Sequence, residues 1–352
     1  MIVVIPTNRS INLKYLRPLV EAHARFIVVY DGESGPPPPL PGFQVFDWDA
    51  RRRVLGSHDE WFPRRSGACR DLGLLLAWRE AAPGETVVAL DDDCEVPAGF
   101  ASEVERTLSS QVRPILGVEG RHLNVLDLYD RIPRGLFPRG FPYSARADYA
   151  QATSSAETSD APVFNVGLWQ DAFDVNAIDK FSGAEWRFPE AKLRRKSVIL
   201  ARGNLVSVCS MNMQMRREVI PGIFQFPMYV EVIDHFVIDR YGDIWGGFLF
   251  KLLADRKGDP IAAGGPMIAH RKAGDARRNA WQEHLAHLVN DELIALLVES
   301  AADVRAGTYL EMMEEVAAEL ARRADGCSVL LRRYCGFLAA SMTHFTAALR
   351  ES

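Results

Sequence analysis

The stretch TVVALDDDCE, residues 86–95, constrains the fold more than any other part of the chain. Four apolar residues, Val87 to Leu90, are too few for a helix of this composition and predict a short buried strand. Three carboxylates, Asp91, Asp92 and Asp93, follow at once. Adjacent acids repel one another and lose hydration beside a buried strand end, so folding alone does not favour them there. Either the triplet is a solvated acidic turn, or a divalent cation compensates it. Carboxylates are hard oxygen ligands suited to Mg²⁺ or Mn²⁺, ions that usually share their coordination with phosphates. In an open α/β sheet, ligands gather beyond the carboxyl ends of strands, which is where the triplet falls.

The residues before it supply the sheet. Ile2–Pro6 predicts a first strand ending in the polar loop Thr7-Asn8-Arg9-Ser10, and Leu13, Leu16, Leu19 and Val20 recur at helical spacing. Phe26–Tyr30 predicts a second strand closed by Asp31-Gly32, and Phe43–Phe46 a third. The run GPPPPLPG at 35–42 reads as a stiff extended connector. Ser66–Ala81 predicts a helix capped by Ser66 and carrying Leu72, Leu74, Leu75 and Trp78. This β-α-β alternation implies a parallel sheet with helices on its faces.

Composition removes several function classes. At 352 residues and 48% hydrophobic, the chain can bury a large core, and its length accommodates a second subdomain. A net charge of −5 without a long basic run argues against nucleic-acid and membrane-surface binding. No apolar run reaches the length of a membrane span, and MIVVIP reads as a strand, not a leader. The five scattered cysteines contain no CxxC pair, which suits reduced cytoplasmic thiols. No GxGxxG is present, so neither a flavin nor a nicotinamide (NAD) site is indicated.

Beyond the triplet, helix is expected over Ala101–Leu108 and strand at Ile115–Val118. An unusually apolar loop follows between Ile132 and Ala145. Thr153–Asp160 is polar and expected to be mobile, Leu205–Met213 strand-like, Asp243–Leu253 an amphipathic helix, and Met267–His270 a short strand. From residue 279 the pattern is helical, with segments near 279–299, 308–324 and 327–349.

Several blocks together resemble the reversibly glycosylated polypeptides, the plant UDP-arabinopyranose mutases, which have the GT-A fold of glycosyltransferases. They are VVIPTNR at 3–9, DG at 31–32, SGACR at 66–70, DDDC at 91–94, RGFPYSAR at 139–146, GLW at 167–169, CSMN at 209–212, RYGDIWGG at 240–247 and His270. Their colinear order is far more specific than any single block, and it covers about the first 280 residues. The resemblance implies an α/β, GT-A-like (Rossmann-like) mixed, mostly parallel sheet with flanking helices, plus a C-terminal helical segment. The expected division is 1–278 for the nucleotide-sugar domain and 279–352 for helices that pack or self-associate, with Leu288, Leu293, Leu296 and Leu297 on their apolar faces.

The same resemblance assigns roles. Asp91, Asp93 and His270 would hold Mn²⁺ or Mg²⁺, although a solitary histidine is more often structural. Thr7, Asn8, Arg9, Asp31, Gly32, Arg70, Asp91 and Asp92 would line the nucleotide side. Asp31 is either an acceptor for the uracil imide or an ordinary Asp-Gly turn. Arg64 and Arg65 near Ser66 are either phosphate ligands or a solvated basic face, Arg70 being the better candidate. Trp169, Asn212 and Trp245 would approach the sugar, or belong to the core.

Arg139 and Arg146 fall in the block that the family writes RGYPFSLR, where the first arginine becomes glycosylated and the second is needed for activity. Here the two aromatics are exchanged and Ala145 replaces leucine. A guanidinium remains protonated at ordinary pH and needs a nearby carboxylate to become a nucleophile. Arg139 and Arg146 are therefore either a covalent acceptor with its helper or a clamp on the diphosphate. Asp243 is the candidate carboxylate, or else a plain helix-start acid. The expected activity is a UDP-sugar mutase interconverting pyranose and furanose forms. A glycosyltransferase using the same donor and a non-catalytic UDP-sugar-binding subunit are the alternatives. A homo-oligomer is expected from the family.

Overall fold

The computed structural model describes residues 1–33, 41–183, 185–271, 274–305 and 307–351. Most of the Pro-rich connector expected at 35–42 lies outside them. Ile2–Thr7 (β1), Arg25–Tyr30 (β2), Phe43–Phe46 (β3) and Thr86–Leu90 (β4) pair in parallel in the order β3-β2-β1-β4. Their β-branched and aromatic residues suit a sheet covered on both faces, and β1 and β4 are almost wholly buried. Beyond β4 the sheet continues through Asn212–Arg216, Phe164–Ala172, Ile261–His270, Ser197–Leu200, Arg113–Gly117 and the edge strand Thr153–Thr158.

Strand sense decides where the site lies. Asn212–Arg216 is antiparallel to both β4 and Phe164–Ala172, and the latter is parallel to Ile261–His270. The carboxyl ends of β1, β2, β4, Phe164–Ala172 and Ile261–His270 therefore open on one side. The residues just before Asn212 arrive at that side from the opposite direction.

Helices Leu13–Glu21 (α1), Trp48–Leu55 (α2), Cys69–Glu80 (α3) and Phe100–Thr107 (α4) flank this sheet. Asn12 caps α1 through its side chain, and Leu16 and Leu19 are buried while Leu13 and Val20 remain exposed. α3 sits unusually close to the sheet. A Cβ at Gly73 would fall 2.4 Å from Val4 Cγ1 and 3.1 Å from Val29 Cγ2, so the helix needs glycine there. α3 starts at Cys69, not at Ser66, because the Ser66 Oγ accepts from the Ala68 amide in the preceding turn.

Three expectations are corrected. Thr153–Asp160 is not a mobile tract: Thr153–Thr158 pairs antiparallel with Arg113–Gly117, since ladder hydrogen bonds need no apolar side chains. Leu205–Met213 is two strands, Leu205–Val206 against His122–Leu123 and Asn212–Arg216 in the main sheet. The final strand starts at Ile261, six residues before Met267. Of the apolar 132–145 loop, Leu136, Phe137 and Phe141 are buried, which explains its composition.

Helices Ala177–Phe181 (α5) and Gly242–Lys257 (α6) precede the C-terminal three, Ala276–Asp303 (α7), Tyr309–Arg323 (α8) and Val329–Arg350 (α9). Thr308 and Glu311 form a reciprocal capping box on α8. These helices share one continuous core with the sheet. Trp245 of α6 is fully buried, donates through Nε1 to Asn290 Oδ1 of α7 at 2.9 Å and meets the Tyr334 ring of α9 edge-on. Burying a large side chain of this kind contributes about 2–3 kcal/mol. Leu293, Leu296 and Leu297 are buried within the chain, whereas Leu288 is 71% exposed. Among the described residues, no helix is long and apolar enough to cross a membrane.

Candidate active site

A cleft of about 490 Å³ opens beyond the converging strand ends. β1 delivers Thr7, Asn8 and Arg9; β2 delivers Asp31; β4 delivers Asp91, Asp92 and Asp93; Ile261–His270 delivers His270. All line it, as the sequence implied. Phe164–Ala172 adds Asp174 two residues past its end, the loop before Asn212 adds Cys209, and the first turn of α6 adds Asp243.

At one end stand the three acids. Arg9 bonds both Asp92 and Asp93, the latter at 3.1 Å, and the Thr7 hydroxyl also donates to Asp92. Arg70, 2% exposed, donates to Asp91 and to the Ser210 hydroxyl at 2.6 Å. Burial pushes the Asp91 carboxyl up; Arg70 opposes this and Asp93 reinforces it. The His270 Nδ1 lies 2.8 Å from the Ala172 carbonyl oxygen and must donate to it. Its Nε2 then faces the Asp93 Oδ1 at 3.7 Å. A histidine fixed by a backbone carbonyl with its other nitrogen beside a carboxylate is a donor set suited to a divalent ion. Asp93 and His270 thus lie side by side, while Asp91 is turned to Arg70.

Asp31 is 6% exposed and already accepts from Trp48 Nε1 at 2.6 Å and from the Ser66 amide at 3.0 Å. Each oxygen keeps a further lone pair for a ligand. Desolvation raises its pKa, against the pull of these donors. Gly32 does not line the cleft; a Cβ there would strike the Tyr30 phenol at 2.4 Å. Arg65 pairs with Glu33, and Arg64 stacks 4.7 Å over Trp48.

The other end is built around Arg139. Its Nε donates to both oxygens of Asp174 at 2.9 and 3.0 Å, its Nη2 to both oxygens of Asp243 at 3.1 and 2.9 Å, and its Nη1 to the Arg240 carbonyl. Arg139 is 6% exposed. Desolvation works against its charge, but Asp174 and Asp243 prevail and hold the guanidinium protonated far above its ordinary range. Burial likewise opposes the charge on Asp174, yet Arg139 and the Cys209 thiol bring its pKa down to about 2. The Cys209 thiol is pushed well up, first by burial and then by the two carboxylates, so it is a neutral donor. Asp243 also accepts from the Ser210 amide at 3.1 Å. Asp174, Cys209 and Asp243 have ligand atoms within 4.8 Å of one another, a spacing able to hold an ion. In this structure both carboxylates are engaged by Arg139.

Besides Gly32 and Arg70, which do not line the cleft either, four more expected residues are not brought to it. Arg146 makes a two-pronged pair with Asp179 at 3.0 and 2.8 Å and stacks 3.9 Å over Tyr143, so it does not flank a ligand together with Arg139. Trp169 is buried, its backbone amide and carbonyl both bonded to the Tyr129 hydroxyl. Asn212 is fully buried and donates to the Leu168 and Pro266 carbonyls. Trp245 belongs to the packing of α6 on α7. Their types suit sugar recognition, but each faces away from the strand-end opening.

Asp174, Lys180, Trp186, Cys209 and Arg240 are lining residues that sequence reasoning missed. The signal for Asp174 was the nine-residue strand before it, which Gly167, Asn165 and the Gln170-Asp171 pair disguise.

The profile described as "Reversibly glycosylated polypeptide" matches residues 1–344. The chain belongs to that family. The match runs past residue 280, so the helical tail, in which no block had been identified, is part of the shared architecture. "Probable UDP-arabinopyranose mutase 1" of Pisum sativum is 26% identical over 331 residues, covering 90% of this chain and 84% of the relative. "UDP-arabinopyranose mutase 1" of Arabidopsis thaliana is 25% identical over 331 residues, covering 90% and 85%. A galactosyltransferase crystallised with donor and acceptor sugar analogues overlaps 39% of this chain and 54% of its own at 15% identity and a TM-score of 0.21, too loosely to bear on the argument.

Proposed function

We propose that this reversibly glycosylated polypeptide is a nucleotide-sugar mutase that interconverts the pyranose and furanose forms of a UDP-sugar such as UDP-arabinose. The observation that carries the reading is Arg139, held by Asp174 and Asp243 in the same cleft as the acid triplet. Family membership and relatives named UDP-arabinopyranose mutase support it.

Asp93 and His270, with Asp91, are the residues that would hold Mn²⁺ or Mg²⁺. When bound, such an ion neutralises diphosphate charge. Asp31 retains acceptor capacity for the uracil imide, and Thr7, Asn8 and Arg9 line the same end. Arg70 fixes Asp91 from below and contacts the nucleotide side only through that carboxylate.

At the other end, Arg139 retains its sugar in the following sequence. Nη2 attacks the anomeric carbon as the bond from that carbon to the diphosphate oxygen breaks, UDP departs with the electron pair, and the Nη2 proton passes to Asp243, 2.9 Å away. The nitrogen lone pair then forms a C=N bond as the bond between anomeric carbon and ring oxygen breaks, and that oxygen takes the proton held by Asp243. A different hydroxyl adds to the C=N carbon and returns its proton to Asp243; UDP then attacks the anomeric carbon, and Arg139 leaves with the nitrogen electron pair and recovers its proton from Asp243. Asp174, with a pKa near 2, stays ionised throughout and holds Nε in place. Arg146, paired with Asp179 outside the cleft, shapes the loop that carries Arg139. The five unpaired cysteines fit a reducing, cytoplasmic setting, and the exposed Leu288 and Trp281 of α7 fit self-association through the helical region.

Chromatography of products from UDP-arabinopyranose with Mn²⁺ tests the activity: a furanose product is expected. Tryptic mass spectrometry tests the intermediate, expecting a pentose on a peptide with missed cleavage at Arg139. Sugar passed to an added acceptor with no furanose formed would replace the mutase by a transferase.

A further inference from the structure

Each arginine lining the cleft spends its charge on a neighbouring carboxylate. Arg9 is on Asp92 and Asp93, Arg65 on Glu33, Arg139 on Asp174 and Asp243, and Arg240 on Glu283 at 3.2 Å. Lys180 is different. It lines the same cleft from α5, half-buried, and among the described residues its ammonium has no hydrogen bond or ion pair. Its ammonium rests over the face of Trp186, itself a lining residue, 4.4 Å from Nζ to the ring centroid.

A cation stationed over an indole and facing a polar cleft retains all three N–H donors for a ligand. Its surroundings say which kind. Asp174 and Glu283 favour its charge and Arg139 and Arg240 oppose it; burial is the larger influence and lowers its pKa. The cleft wall as a whole is rich in carboxylates: Asp31, Asp91, Asp92, Asp93, Asp174 and Asp243 all face it. An anionic ligand there needs cations that are not already neutralised, and the arginines do not provide them. Lys180 lies beside the Arg139 end, so it meets a diphosphate where that group joins the sugar.

We propose that the Lys180 ammonium binds the β-phosphate of the nucleoside diphosphate, stabilising the charge that develops there as the bond to the sugar breaks. This rests on the nucleotide-sugar reading above. Trp186 positions Lys180 by giving its ammonium a face to rest on without consuming a donor.

Calorimetry of the full-length protein with UDP and with UMP, at fixed Mn²⁺, separates the outcomes. Lys180→Met is expected to weaken UDP by about ten- to hundredfold and to leave UMP within about twofold. Lys180→Arg, which keeps the charge, is expected to recover most of the UDP affinity. Circular dichroism melting of all three proteins should coincide. Equal losses for UDP and UMP, or no loss for either, would overturn the assignment while leaving nucleotide-sugar binding intact. A wild-type protein that binds neither nucleotide would overturn the nucleotide-sugar reading and this inference with it.

Discussion

The two ends of the cleft are built from the same side chains, carboxylates and arginines, yet they are in opposite states. At the Asp91–Asp93 end, acids outnumber arginines, the His270 Nε2 is turned towards Asp93, and Asp93 and Arg9 are partly open to solvent. At the Arg139 end, one buried guanidinium is matched by two partly buried carboxylates and a backbone carbonyl. The first end is prepared to receive a cation; the second already contains one. A diphosphate ligand needs the first arrangement, and a reacting carbon that gains positive charge is best met by the carboxylates of the second.

The contrast can be broken by removing one acid from each end. Asp174→Ala leaves Arg139 buried with one carboxylate and should cost about 3–5 kcal/mol in urea unfolding. Asp93→Ala should cost less than about 0.5 kcal/mol, because its site is electrostatically unfavourable without an ion. Equal losses would show that the two ends are not different in kind.

Metal affinity sharpens the same distinction. Asp93→Ala and His270→Ala should each weaken Mn²⁺ binding about 10–100-fold, whereas Arg139→Lys should leave it unchanged, as measured by manganese electron paramagnetic resonance. Loss of Mn²⁺ in Arg139→Lys with retention in His270→Ala would move the ion to the Asp174–Cys209–Asp243 group.

Acid titration gives a somewhat smaller effect. The folded pKa of Asp174, about 2, lies below its ordinary value near 3.8. Its contribution is therefore complete above about pH 4 and is lost as the pH falls towards 2, amounting to about 2 kcal/mol. Wild-type stability should fall by that much more than that of Asp174→Asn over this window. The smallest effect belongs to Trp169→Phe. It removes a buried indole nitrogen with no hydrogen-bond partner among the described residues, so it should cost at most about 1 kcal/mol and leave KM unchanged.

How much of this was readable in the chain differs along the same line. The acid triplet follows an unbroken apolar run, and a run of that kind can only be a buried strand with its polar residues at the end. Thr7 and Asp31 end apolar strands in the same way, whereas His270 was singled out only by the family resemblance. Asp174 was not legible, because Gly167, Asn165 and Gln170 interrupt the apolar pattern of its strand; inside the protein the Asn165 and Gln170 amides donate to Gln214 and to the Ala191 carbonyl, and a Cβ at Gly167 would strike Asn212 at 2.4 Å. Trp169, Asn212 and Trp245 failed in the other direction. Residue type announces what a side chain can do, but only the sense of the strand or helix carrying it decides where it points. For Asn212 that depended on a strand running against its neighbours.

Glu283 of α7 has a reach that matters for how the protein can be handled. One of its oxygens accepts from the Ala177 amide at 2.8 Å, where the segment bearing Lys180 begins, and the other holds Arg240, whose carbonyl grips Arg139. A single carboxylate thus ties two walls of the reaction chamber to the tail of the chain. A fragment trimmed at residue 278 would lose that tie and expose Trp245 as well. The first long C-terminal helix is thus a structural part of the cleft and not an appendage to it.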